Sequence, residues 1–563
     1  MTSTGSTSNS KRARAGACAT CRVCSLSRGP TRRQLANNVA RDGRETQENG
    51  IGAFGSQELF LEMVPLYFYH IHNIAHTIFH EPSFMRRLQD GSASMIHVYA
   101  MCALAARYSN HRIFRNIAPC ARGKLYATEA IRRCHAHMVS PSLETVQGFL
   151  LIGYYFSGEG SIQGKHIYVG LAHLHADLLT PEDTPTLVLQ EERRRTWLSI
   201  HVASHWSASD MATEPTYSSP TSISLPQIDD ADFHTLSPEL LPLEARPSTG
   251  SRCDMWAQMA RTLNIFTKIN VLLRRLSQSG ISFDEYCKEA ATLEHALDQW
   301  ERALPPNLAY TYENFTRLVE KQIGQTFLSM HVGYYHFRQM LFFPFLDSRL
   351  AQWAVRDRAA KCKESATIVS DILQYSETTP NCKMDYFIYG HIAVVSSSVH
   401  LHSLLFSEDQ PDLSLARQRL VFNFQYLMGL KPFWSVVDHH VTHLRTFQNS
   451  CRQSMSSSFV LDNWMARFLT EHSSALFERQ LYGPHIPSLD GGIVSTEETN
   501  STASSGFQFA YAPDPAVVGT TDLVGEIPGY DDLSQLLEDE GMSGEAIVDS
   551  ALSWLLHDDL RVD

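Results

Sequence analysis

No run of about 18 apolar residues occurs anywhere in the 563-residue chain; the best stretch, Phe149 to Phe156, meets polar residues too soon to cross a bilayer, so no membrane partner is expected. No segment alternates strictly between apolar and polar residues inside turn-rich borders, so strands are not expected. No charged-then-apolar leader opens the chain, and the eleven cysteines are odd in number and lack framework spacing, which points to a reducing compartment. No internal repeat of fixed period is present, which argues against a solenoid of identical units.

Catalytic signatures are equally scarce. The stretch "VVDHHVTHL", with Asp438, His439, His440 and His443, lacks the glutamate that a zinc protease of the H-E-x-x-H type uses as general base. Around Lys165 the glycines suggest a phosphate-binding loop. However, Gly160 to Gly164 is one residue too short, Gly158 to Gly164 one too long, and His166 stands where a magnesium-binding hydroxyl belongs. No G-x-S-x-G turn exists, and Cys102, Cys134 and Cys287 sit in apolar helical contexts where thiols are inert. His72, His76 and His80 fall on one face of a helical pattern, a spacing that could hold a metal, but no carboxylate joins them except Glu81 beside Pro82. A structural role is favoured for these histidines, and no enzyme is expected.

What the chain does have is helical periodicity and segregated charge. Over 59–78, Leu59, Phe60, Met63, Val64, Tyr67, Phe68, Ile71, Ala75 and Ile78 recur at three- and four-residue steps and predict one core-facing helix. Similar patterns run through about 94–108, 122–138, 143–156, 161–179, 190–208, 253–277, 284–303, 317–343, 348–375, 385–406, 413–429 and 458–479. The fold class is therefore all-α, a multi-helix body over 55–480 without a catalytic pocket. Prolines at 215, 220, 226, 238, 242 and 247 make 209–250 an irregular Pro- and Ser-rich crossing between two helical halves. Residues 1–50 hold nine Lys or Arg against three acidic residues, whereas 484–563 hold one basic residue, Arg561, against sixteen acidic ones. Two disordered tails of opposite charge are expected, one suited to nucleic acid and the other to protein partners, or both merely solvated.

Landmarks along the body resemble those of a known family. In order, they are Phe60 to Leu88, "YAMCALAARYS" (99–109), the stretch from Ser140 to Leu178, "EERRRTWLSI" (191–200) and "ISLPQID" (223–229). This order is similar to the middle homology domain of fungal binuclear zinc-cluster transcription factors, over about 55–300 and more loosely to about 480. The resemblance implies an all-α regulatory domain rather than a catalyst, a nuclear location, and a transcription factor serving one pathway or gene cluster. In "EERRRTW" the glutamates lie one helical turn from Arg194 and Arg195, which predicts a self-paired helix surface. Where the family reads Gly-Arg-Pro, this chain has "TEP" at 213–215.

The same family carries six cysteines sharing two zinc ions near its amino terminus, and here that pattern is incomplete. Lys11, Arg12 and Arg14 lead into Ala17, Cys18, Cys21 and Arg22, matching the first two ligands. Cys24 then comes too early, Arg28 stands at the expected third position, and the second trio is absent. Three thiolates cannot fill two tetrahedral sites, and in small zinc modules the metal supplies the folding free energy. Residues 1–50 thus read as the remnant of a zinc-cluster DNA-binding domain, with Cys18, Cys21 and Cys24 as the zinc ligands that remain. A truncated or mis-spliced cluster explains the pattern better than a new one-metal site. Contacts to DNA would come from Lys11, Arg12, Arg14, Arg22, Arg32 and Arg33. The alternative is a regulator that does not bind DNA and acts by docking on or titrating other proteins; a helical enzyme or metabolite-binding protein is a further rival.

At the other end, "YDDLSQLLEDEGM" (530–542) sets Leu533, Leu536 and Leu537 among carboxylates, and "IVDSALSWLLHDDL" (547–560) carries Trp554, Leu555 and Leu556. Acidic residues keep such a segment solvated while its apolar groups remain available to a partner groove. An acidic activation domain addressing coactivators or the transcription machinery is expected in 484–563; a helix pair packed back on the body is the alternative. Dimerisation is left open.

Overall fold

Short polar side chains set where the helices of this chain begin. Ser142 and Thr145 form a reciprocal capping box, as do Ser282 and Glu285, and Ser94, Ser161, Thr186, Thr311 and Asp462 each accept a backbone N–H of the helix they open. The computed structural model describes residues 54–179, 186–213, 215, 226, 228–239, 254–346, 353–406, 410–453 and 462–476. The chain divides into two units, Met1–Leu59 and Phe60–Asp563. Within the described residues the first unit contributes only 54–59, and apart from residues 57–59, which open the first helix, all that follows concerns the second.

Among the described residues every regular element is helical, and strand-like pairing is limited to one bridge between His72 and His76. In chain order the helices are α1 (Gln57–His70), α2 (Glu81–Gln89), α3 (Met95–Ala105), α4 (Lys124–Ala136), α5 (Leu143–Gly158), α6 (Ile162–Leu178), α7 (Leu187–Asp210), α8 (Asp230–Phe233) and α9 (Met255–Ser277). They continue as α10 (Phe283–Ala303), α11 (Tyr312–Glu320), α12 (Gly324–Phe342), α13 (Trp353–Thr378), α14 (Ile388–Phe406), α15 (Gln410–Leu430), α16 (Val437–Gln453) and α17 (Asn463–Thr470). Consecutive helices pack in pairs, notably α5 with α6, α12 with α13 and α14 with α15, while α3 packs on α5 and α9 on α12. Four helices are apolar nearly all round, α3, α5, α12 and α14, and these are the buried ones.

Three expectations about helices need correction, and the simplest is 458–479, where among the described residues the helix covers only α17 and residues 471–476 are not helical. The segment 59–78 is not one helix: α1 stops at His70, and Asn73 takes a left-handed conformation at φ 63°, which asparagine tolerates better than most residues. Ile71, Ile74, Ile78 and Phe79 are still buried, so the apolar spacing is honoured by a tight loop instead of a continuing helix. Likewise 317–343 is two helices, α11 and α12, separated by a turn at Gln322, which is also left-handed at φ 60°. Within 209–250, the described part holds the short α8.

One close contact joins distant parts of the chain. The end of α5 presses Gly158 against Trp434, so closely that a Cβ on the glycine would lie 2.4 Å from the indole. Over that indole lies the guanidinium of Arg107, 3.8 Å from the ring centroid and donating to the carbonyl of Phe433 at 2.7 Å.

Candidate functional site: a cavity among six helices

Cys18, Cys21, Cys24, Lys11, Arg12, Arg14, Arg22, Arg32 and Arg33 lie outside the described residues, as do Leu533, Leu536, Leu537, Trp554, Leu555 and Leu556. Among the described residues no group of three or more His, Cys, Asp or Glu side chains is placed to hold a metal ion. Cys102, Cys134, Cys362 and Cys382 are buried, and burial pushes the Cys134 thiol up to about 12 and that of Cys382 to about 11. Such thiols are poor ligands and nucleophiles at neutral pH.

The histidines of the loop after α1 are held by other protein groups. His76 Nε2 bonds the hydroxyl of Tyr67 at 2.5 Å, His72 Nε2 accepts the N–H of Phe79 at 3.2 Å, and His80 Nδ1 meets Ser83 Oγ at 2.6 Å. Burial drives His76 down to about 3, so it is neutral at physiological pH.

The "EERRRTW" segment forms α7 but is not a self-paired surface. Arg194 does bond Glu191 at 3.3 Å, whereas Arg195 and Glu191 are wholly buried. Arg195 donates to Glu191 at 3.1 Å, to Asp230 at 2.8 Å and to the carbonyl of Ile228 at 2.9 Å, and lies over the ring of Phe233. Asp230 in turn accepts the N–H of Met255 at 2.8 Å, at the amino-terminal end of α9, where a negative charge is favoured. One arginine thus ties α7, α8 and α9 together, a long-range role that local spacing does not reveal.

A second buried ion pair has the same character. Lys165 on α6 pairs with Asp210 at the end of α7, and its amine lies 3.3 Å from His472 Nε2. Asp210 also accepts the backbone N–H groups of His472 at 2.6 Å and Ser473 at 3.0 Å. Burial and the neighbouring lysine keep His472 neutral, although Asp210 pulls the other way. With His472 neutral, Lys165 and the two N–H groups overcome the burial penalty and hold Asp210 ionised, well below the usual carboxylate range.

Lys165 and His472 form one polar edge of a cavity of about 120 Å³. Its wall is otherwise mainly aromatic and aliphatic, with Tyr154 from α5, Trp206 from α7, Trp256 from α9, Phe337 from α12 and Tyr389 from α14. Val202, Met259, Gly333 and Ile388 are partly exposed and give it an access side. Tyr389 donates to Ser329 Oγ at 2.7 Å, but the hydroxyls of Tyr154 and Tyr386, both buried, have no hydrogen-bond partner among the described residues. Sequence reasoning meets Lys165 only in a phosphate-loop spacing that fails. Asp210 and His472 stand 45 and 307 residues away from it, with no local signal to join them.

Residues 64–302 match the fungal specific transcription factor domain. Over 451 residues the chain is 24% identical to the Zn(2)-C6 fungal-type transcription factor FTF1c of Fusarium oxysporum f. sp. lycopersici, covering 72% of this chain and 47% of that protein. Against FTF2 of the same fungus it is 23% identical over 534 residues, 85% of this chain and 48% of the relative. An uncharacterized transcriptional regulatory protein of Schizosaccharomyces pombe is 26% identical over 317 residues, 51% of this chain and 32% of its own length. No solved structure matches. The chain spans about half the length of the Fusarium relatives it matches. Over residues 64–302 it is similar to the fungal specific transcription factor domain, and over most of its length to proteins named as fungal zinc-cluster transcription factors.

Proposed function

We propose that this protein is a fungal transcriptional regulator acting in the nucleus on one pathway or gene cluster, with 55–480 as its non-catalytic regulatory domain and 484–563 as its activating segment. The observation that carries the proposal is the match of residues 64–302 to the regulatory domain, supported by relatives named as transcription factors. DNA contact would fall to Lys11, Arg12, Arg14, Arg22, Arg32 and Arg33, and zinc to Cys18, Cys21 and Cys24. With three thiolates in place of six, a two-metal module does not form, so the basic residues meet phosphates with little sequence preference. That shortage also favours a second reading, in which the protein regulates by docking on other factors rather than on DNA.

Coactivators or the general transcription machinery are the expected partners of the tail. Burying one Leu or Trp side chain in a partner groove is worth roughly 1.5–3 kcal/mol, against about 0–1 kcal/mol for an exposed ion pair, so the apolar residues dominate. The full chain is fused to an unrelated DNA-binding module in a reporter strain. The fusion activates; replacing Leu533, Leu536, Leu537, Trp554, Leu555 and Leu556 by Ala abolishes the signal, and changing Asp531, Asp532, Asp558 and Asp559 to Asn only reduces it. A silent parent fusion, or greater damage from the Asn set, overturns the assignment.

A further inference from the structure

The cavity has two features that a core packed for stability does not need. Protein interiors are close-packed, and voids larger than a water molecule are few, so about 120 Å³ of open volume among six helices calls for a reason. Buried hydroxyls nearly always find a partner, yet two phenols of this one wall lack one among the described residues: Tyr154 one turn before the end of α5 and Tyr386 just before α14. Their rings stand perpendicular with centroids 6.3 Å apart.

We propose that the cavity is a binding site for a small, neutral, monocyclic aromatic molecule carrying a carbonyl acceptor, with the hydroxyls of Tyr154 and Tyr386 donating to that oxygen. Size sets the first limit: the volume is close to that of engineered apolar cavities of about 150 Å³ that take up benzene, so one ring with one small substituent fits. Shape and chemistry set the second, because Trp206, Trp256 and Phe337 offer ring faces and edges against which an aromatic ligand packs. Charge sets the third. Lys165 is already neutralised by Asp210, and His472 is neutral, so a carboxylate ligand would bring an unmatched negative charge into a buried site. The wall draws on α5, α6, α7, α9, α12 and α14 as well as His472 beyond α17, so an occupant touches both halves of the domain and stabilises their association. This site stands independently of whether the tail activates transcription.

The test uses the full chain and three probes: acetophenone, benzene and benzoate, with binding read by ligand-detected NMR titration and by the shift in melting temperature. Acetophenone binds saturably, benzene binds about five- to tenfold more weakly for want of an acceptor, and benzoate gives no saturable signal. Tyr154→Phe and Tyr386→Phe each weaken acetophenone about fivefold, leave benzene unchanged and do not lower the melting temperature of the free protein, since neither hydroxyl has a hydrogen-bond partner among the described residues to lose. Ala203→Leu, which fills the cavity, abolishes both. Absence of saturable acetophenone binding to the parent chain overturns the proposal, as does binding that survives Ala203→Leu in a folded protein. Equal affinity for benzene and acetophenone, or tighter binding of benzoate, overturns the ligand class.

Discussion

Mild acid destabilises the helical body, because its core contains histidines that can be protonated only after it opens. His76, His97, His331, His400 and His440 are each pushed down to about 3, with burial the largest cause in every case. A group whose folded pKa lies below its unfolded value of about 6.5 binds more protons when unfolded, so stability is full above pH 6.5 and falls as the pH drops below it. Going from pH 7.5 to 5.5 costs about 1.4 kcal/mol per histidine, and about 7 kcal/mol for the five. Glu192 works in the opposite sense. Burial raises it to about 7, so its protonated form favours the folded state and offsets about 2 kcal/mol over the same interval. Asp210, held ionised and low, contributes nothing in this window and loses its share only below the ordinary carboxylate range. For these six groups alone the remaining loss is about 5 kcal/mol, and His80, His205, His234, His391 and His402, pushed down to about 4, add to it by more than Asp230, raised to about 6, offsets; that is comparable with the whole net stability of many domains. At roughly 2.1 cal/mol/K of unfolding entropy per residue, over about 370 described residues, about 5 kcal/mol lowers Tm by about 6 °C, a lower bound on the drop. Calorimetric melting at pH 7.5 and 5.5 measures this directly. A Tm that stays level or rises on acidification refutes the reasoning, and would mean that these imidazoles reach water or an anionic partner without unfolding.

Other substitutions separate buried from exposed roles. Arg195→Ala takes the guanidinium shared by buried Asp230 and Glu191 out of the core and lowers stability by roughly 3–5 kcal/mol, whereas Arg194→Ala changes it by less than about 1 kcal/mol; denaturant titration distinguishes the two. Gly158→Ala drives a methyl group into Trp434, which is wholly buried and has no room to retreat, and costs about 1–3 kcal/mol by the same assay. The purified full chain holds fewer than two zinc ions after dialysis, and its affinity for duplex DNA falls steeply as salt rises; metal analysis and binding at two salt concentrations check both.

The helical character of this chain is legible because apolar residues recur at helical steps and because Ser, Thr and Asp stand at the starts of α3, α5, α6, α7, α10, α11 and α17. Periodicity fails at 59–78, where a buried loop and a buried helix demand the same apolar spacing and only Asn73 marks the break. Local charge pairing misjudges Arg195 for a related reason: one helical turn accounts for Glu191, but Asp230 and the carbonyl of Ile228 arrive from a Pro-rich segment whose path no spacing rule describes. The cavity is harder still to foresee, since its wall is gathered from residues between Ile74 and His472 and its distinguishing mark, two tyrosines without partners, exists only once the helices are assembled. The amino-terminal cysteines and the acidic tail were legible as chemistry, and both lie outside the described residues.

Rapid depletion of the protein in its native host, followed within minutes by transcript sequencing, tests the central claim most directly. A regulator of one pathway or gene cluster changes the synthesis of a small, discrete set of messages before any general decline, and the same set responds to the full chain with the six apolar tail residues replaced by Ala. No early change in any transcript after complete depletion would contradict a role in transcription.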